Sequence, residues 1–140
     1  MSGERAFASN VSVIVPAHDA GEACVSCLMS LAALSPPPGE IVVVDDSGSG
    51  ACARVARSLQ FQTAETRGRR GPAAARNLGA RLAGGDILFF VDADVRVPLA
   101  TVRRIVEHFE AFPDIAAVIG SYDEAPAHPG FFSQYKNLVH

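Results

Sequence analysis

The chain has 140 residues, 49% of them hydrophobic, with a formal net charge of -3 and an isoelectric point near 5.7. That is enough apolar material for one domain with a real core, which excludes a disordered tail, and the mild acidity excludes a nucleic-acid binder working through general basic charge. No apolar run approaches the ~20 residues of a membrane span and Met1-Ser-Gly-Glu-Arg5 lacks the apolar stretch of a secretory leader, so a cytoplasmic location is expected.

Residues 1–10 read as a disordered polar lead. Val11-Ser-Val-Ile-Val15 is a β-branched run, predicted as a buried strand stopped by Pro16. Gly21-Glu22 opens a helical pattern through about Leu34, closed by Ser35-Pro-Pro-Pro-Gly39. Ile41 to Val44 is a second buried strand, Asp45 to Gly50 a loop and cap, and a helix follows through about Leu59. A weaker strand covers about Phe61 to Ala64. Arg67 to Gly71 is a glycine and arginine loop, Pro72 suits a first helical position, and Ala73 to Ala83 is a helix stopped by Gly84-Gly85. The strand from Asp86 runs through Ile-Leu-Phe-Phe-Val91 into Asp92-Ala-Asp94. Beyond Pro98, Leu99, Val102, Ile105, Val106, Phe109 and Phe112 recur at helical spacing up to Pro113. Ile115 to Ile119 is predicted as a fifth apolar strand, and residues 121–140 as a tail leading into a second half, with a helix beginning near Phe131.

Strands alternate with helices and are apolar on both faces. The predicted class is therefore α/β: over residues 11–120, an open, mostly parallel sheet with helices on both faces. Cys24, Cys27 and Cys52 are an odd number and do not read as a disulfide framework, which points to a reducing compartment. Cys24 and Cys27 form a C-x-x-C where a thioredoxin-like pair would sit, but i, i+3 spacing beside Leu28 and Leu31 favours two small buried apolar residues. A zinc site adding His18 and Cys52 suits the ligand types and lacks a second closely spaced ligand pair.

In open α/β sheets, ligands bind outside the carboxyl ends of the strands. Each conspicuous polar group falls there: His18 and Asp19 after the first strand, Asp45 and Asp46 after the second, the arginine loop after the third, Asp92 and Asp94 after the fourth. Because strand side chains alternate, Asp92 and Asp94 are expected to point the same way and to share one Mg²⁺ or Mn²⁺. Two unit charges about 4 Å apart interact by roughly 4 kcal/mol at an effective dielectric near 20, so these carboxylates would repel a bare diphosphate and a divalent cation reverses the sign. Asp45 and Asp46 also suit helix capping, which leaves either role open for one of them.

Taken together, these residues resemble the N-terminal, nucleotide-binding half of a glycosyltransferase family 2 domain, the GT-A fold. Val11-Ser-Val-Ile-Val-Pro-Ala-His-Asp19 resembles the family's opening strand and turn, and Ile41-Val-Val-Val-Asp-Asp-Ser47 its second strand. Gly71-Pro-Ala-Ala-Ala-Arg-Asn-Leu-Gly79 resembles its arginine-asparagine helix, and Asp92-Ala-Asp94 its DXD motif. The resemblance implies that Pro16 and His18, the latter in place of the usual tyrosine, flank the nucleotide, that Asp46 meets the base, and that Arg76 lies near the base and loop. It implies that Asp92 faces the ribose or the metal and that Asp94 ligates the Mn²⁺ or Mg²⁺ bridging the diphosphate. Asp19 stands where asparagine is usual, and Ala20 where an acidic residue is common.

The implied activity is inverting, metal-dependent transfer from a nucleotide-sugar donor, a UDP-sugar by first expectation, to the hydroxyl of a sugar or lipid-linked acceptor. A lipid-linked acceptor would bring peripheral association with the inner face of the membrane. The general base is expected beyond residue 140, which allows for a chain inactive alone; Asp123, Glu124 and His128 are the ionisable groups past the fifth strand. Two other readings stay open. Gly48-Ser-Gly-Ala-Cys-Ala53 follows a strand and opens a helix as G-x-G-x-x-A, with Glu65 placed for a ribose, as in an NAD-type dinucleotide module; against it, that fingerprint usually opens on the first strand. A non-catalytic interaction fragment would self-associate through an incomplete sheet edge and the Phe131-Phe132 region.

Overall fold

The computed structural model describes residue 8, residues 10–18 and residues 21–120; Asp19, Ala20, Asp123, Glu124, His128 and the helix expected near Phe131 lie outside them. In chain order the elements are β1 (Val11–Ala17), α1 (Gly21–Ala32), β2 (Glu40–Asp45), α2 (Ala51–Ser58), β3 (Gln62–Glu65), α3 (Pro72–Leu82), β4 (Ile87–Phe90) and α4 (Thr101–Ala111). The strands form one parallel sheet in the order β3-β2-β1-β4. This is the α/β architecture expected from the alternation of strand and helix patterns.

Strand periodicity divides the core. Val11, Val13 and Val15 of β1 and Ile41 and Val43 of β2 face the side packed by Leu28 and Leu31 of α1, Ala56 of α2, and Val102 and Val106 of α4. Val42 and Val44 face the other side, where α3 lays Ala75 against the sheet. Helix α3 approaches closely because its contact residues are small. A methyl group at Gly79 would overlap Ile14 Cγ2 and press on Val44 Cγ2. Leu88 and Phe90 of β4 share Ser12's and Ile14's register and stay exposed, Phe90 at 44%.

Several expected boundaries shift. Pro16 does not stop β1, which continues to Ala17 with Pro16 opposite Val44. The ladder explains why: Ile14 C=O accepts Val91 N–H at 3.0 Å, the last bond to the β4 side, so the position two residues on meets no strand there and no donor is missed. The helix expected from Leu99 to Phe112 is Thr101–Ala111, with Leu99 and Phe112 exposed at its ends. The fifth strand is a correction. Residues 115–120 carry no strand pairing, and Ile119 is 94% exposed. An apolar run becomes a strand only beside a partner that satisfies its backbone, and a local pattern does not supply one.

The cysteine reading is corrected too. Cys24 and Cys52 form a disulfide with Cα atoms 6.1 Å apart, because α1 and α2 pack side by side; buried Cys27 is the free thiol. Cys24 and Cys27 are therefore not a pair. Among the described residues no three His, Cys, Asp or Glu side chains converge as metal ligands, and no helix is long and apolar enough to cross a membrane.

Candidate active site

Of the polar groups singled out by sequence, His18, Asp45, Asp46, the arginine loop, Asp92 and Asp94 stand at the carboxyl ends of the strands, and the end of β2 parts the adjacent Asp45 and Asp46. Asp45 follows Ile41 and Val43 onto the α1/α2 face, and Asp46 turns toward the loop that leads into α3. Asp45 is 3% exposed. Its Oδ1 accepts Ser47 N–H at 2.7 Å and Ser47 Oγ–H at 2.6 Å, while its buried Oδ2 has no hydrogen-bond partner among the described residues. It thus organises the loop into α2 without a capping bond at Gly50, the residue before that helix.

Asp46 organises a second loop. Its Oδ1 accepts the Thr66 hydroxyl and Arg70 N–H, the latter at 2.8 Å, and its Oδ2 accepts Gly71 N–H at 2.8 Å. His18 Nδ1 lies 3.7 Å from Oδ2. The Thr66 hydroxyl first, then the Arg70 and Gly71 amides and the nearby imidazole, hold its carboxyl below the usual carboxylate range. Gly71 has φ 89° and ψ 168°, a conformation open essentially to glycine, and it delivers its N–H to Asp46 immediately before Pro72 starts α3. Thr66 carries no signal in the sequence; a lone threonine after a weak strand is ordinary.

The strand expectation for the acidic pair after β4 is corrected in its geometry. β4 ends at Phe90, and Asp92 to Val95 form a turn in which Val95 N–H donates to Asp92 C=O at 3.0 Å. Asp92 and Asp94 are both exposed with Ala93 buried between them, so the turn, not the pleat, turns both outward. Arg76 crosses from α3 and donates through Nη2 to Asp92 Oδ1 at 2.6 Å. This pair is exposed enough to contribute only about 0–1 kcal/mol to stability, and its consequence is local charge balance.

Beneath the turn lies Cys27. Its thiol is pushed up to about 12 by burial first and then by the negative charges of Asp94 and Asp92, so it stays protonated. Thus His18 meets Asp46, and Arg76 meets Asp92; Pro16 is buried within β1. A cavity of about 480 Å³ opens between the starts of α1 and α2, lined by Gly21, Glu22, Cys24, Ser47, Ser49 and Cys52 among others, and by none of these five residues.

The glycine loop spends part of its donor capacity on its own side chains. Three of its amides are taken internally: Ser47 N–H by Asp45, Ser49 N–H by Ser47 Oγ at 3.1 Å, and Ala51 N–H by Ser49 Oγ at 3.4 Å. A dinucleotide pyrophosphate needs such donors unpaired. The exposed carboxylates at 92 and 94 are hard oxygen donors and suit Mg²⁺ or Mn²⁺, which bind proteins through one or two carboxylates and leave other positions to phosphates and water.

Known proteins agree with this geometry at the level of family and fold. The glycosyl transferase family 2 model matches residues 12–137. The glycosyltransferase GlyG of Streptococcus pneumoniae is 25% identical over 130 residues, 89% of this chain and 43% of that protein. The S. aureus TarS fragment 1–349 in complex with UDP-GlcNAc superposes with a TM-score of 0.67 at 25% identity, over 80% of this chain and 37% of that one. The mannosyltransferase PcManGT from Pyrobaculum calidifontis, in complex with GDP-Man and Mn²⁺, gives a TM-score of 0.62 at 28% identity, over 69% of this chain and 31% of that one. The chain thus spans less than half the length of these relatives. With the parallel sheet, the acidic strand ends and a family match over most of its length, the chain belongs to glycosyl transferase family 2.

Proposed function

We propose that this chain is the donor-binding part of a metal-dependent, inverting glycosyltransferase whose donor is a UDP-sugar. The observation that carries the reading is convergence: the segments after β1, β2, β3 and β4 each place a charged or polar group at one rim of the sheet, and Arg76 of α3 reaches Asp92 there. UDP-GlcNAc in the TarS fragment supports the donor class, and Mn²⁺ with GDP-Man in PcManGT supports a cation.

Asp92 and Asp94 would hold Mn²⁺ or Mg²⁺. When bound, the ion supplies charge neutralisation for the departing diphosphate. The chain's own groups do the rest of the donor side. Asp46 fixes the backbone at Arg70 and Gly71 and so presents the arginine loop at the rim, His18 stands against the same carboxylate, and Arg76 balances Asp92. Inversion requires in-line attack by an acceptor hydroxyl of a sugar or lipid-linked sugar, with a general base that no described residue is assigned to supply.

Isothermal titration of UDP with and without Mn²⁺, for the unsubstituted chain and Asp94→Asn, tests the proposal. Mn²⁺ should tighten UDP binding by about tenfold or more, a step of roughly 1.4 kcal/mol, and Asp94→Asn should abolish that gain. Donor hydrolysis by this chain alone should be slow or absent. Equal, metal-blind binding by both forms would refute the reading, and metal-independent binding of NAD would favour the dinucleotide alternative.

A further inference from the structure

The exposed carboxylates at 92 and 94 sit in a segment, residues 91–100, with no helix or strand of its own. Something else must fix its path. Helix α1 passes beneath it, and three contacts from α1 and the residues just after it reach the segment's backbone. The Cys27 thiol donates to Asp92 C=O with Sγ 3.7 Å from the oxygen. Val97 N–H donates to Ser30 Oγ at 3.0 Å. Ser35 N–H, past the helix end, donates to Leu99 C=O at 2.9 Å.

Cys27 and Ser30 are i, i+3 neighbours on one helical face. Their two side chains grip the backbone on either side of Asp94. Ser30 Oγ also donates to Cys27 C=O at 2.6 Å, which spends its proton on its own helix and leaves its lone pairs for Val97 N–H. Ser30 is thus an acceptor held in one orientation by the turn of α1 below it. The Cys27 thiol, fully buried, is a donor at the other end.

We propose that Ser30, seconded by Cys27, is a positioning residue for the Asp92–Asp94 turn: it touches neither donor nor cation, and it holds the backbone that presents the two carboxylates. This rests on the proposed donor site. Outer-shell partners of this kind commonly carry about ten- to a hundredfold of metal affinity, because a carboxylate pair that wanders is a poorer chelate.

The test uses Ser30→Ala and, as the conservative variant, Ser30→Thr, which keeps the hydroxyl. In the ligand-free protein, hydrogen exchange at the Val97 amide should accelerate in Ser30→Ala and return toward the original rate in Ser30→Thr. Mn²⁺ affinity in the presence of saturating UDP, read from the free-ion paramagnetic resonance signal, should fall about tenfold in Ser30→Ala and recover in Ser30→Thr. UDP affinity in chelator should stay unchanged in both. An unaltered Val97 amide and unaltered Mn²⁺ affinity in Ser30→Ala would overturn the proposal, as would an equal loss of metal-free UDP binding, which is the mark of general loosening. If the unsubstituted chain itself binds UDP without regard to Mn²⁺, the donor reading fails and this role with it. That outcome is distinct, because failure of the clamp alone leaves the unsubstituted chain metal-dependent.

Discussion

Neighbouring residues of one chemical type meet different fates in this chain. Asp45 and Asp46 are both nearly buried, yet β2 sends one toward α2 and the other toward the arginine loop. Asp46 satisfies three donors from residues 20 to 25 positions away in sequence. Because the fold lowers its pKa, the stability it contributes is complete above the unfolded-state value near 3.9 and is lost as pH falls through the lower folded value. Asp46→Asn should therefore weaken the fold at neutral pH and flatten the fall in stability below about pH 4, since an amide accepts at one oxygen and cannot ionise. Urea midpoints of both forms from pH 6 to pH 3 check this. A parallel fall in the two would show that the Asp46 carboxylate does not titrate against the fold.

At the scale of elements, small residues decide where α3 rests. Ala75 and Gly79, one turn apart, let the helix sit close over β1 and β2, which brings Arg76 on the adjacent position to Asp92. Gly79→Ala gains roughly 1 kcal/mol of helix propensity and forces a methyl against the branched side chains of Ile14 and Val44. Overpacking of that kind costs about 1–3 kcal/mol, so the net expectation is a loss of up to about 2 kcal/mol, read as a lower denaturation midpoint. A stabilised variant would mean that α3 rides further from the sheet. The helix itself was legible from Pro72 to the glycines at 84 and 85, but its height above the sheet was not. That depends on which side chains of two other strands lie under it.

Across the whole molecule, α1 is the common support. One turn carries Cys24, tied to Cys52 at the start of α2; the next carries Cys27 and Ser30, in contact with the segment after β4. The disulfide joins residues 28 apart in sequence, and cross-links of that size restrict the unfolded chain by about 3.5 kcal/mol. Reduction should lower unfolding free energy by about that amount, measured in urea with and without a thiol reductant. Thiol titration gives an independent check. The folded chain should react negligibly, since Cys27 is buried and protonated; denaturation without reductant should expose one thiol, and reduction all three. Three reactive thiols before reduction would remove the cross-link.

The strands through β4, the helices, the α/β class and the end of the sheet that carries the charges were all readable along the chain. Each is written in short-range terms: period 2 or 3.6, a proline at a helix start, glycines at its stop, an acidic residue after an apolar run. Tertiary structure alone decided the strand order, the Cys24–Cys52 pair, the parting of Asp45 from Asp46, the Arg76–Asp92 contact and the failure of residues 115–119 to become a strand. All of these depend on groups distant in sequence arriving within bonding distance. A hydrogen bond or a disulfide selects its partner by ångström-scale placement, and only the packing of the other elements sets that placement.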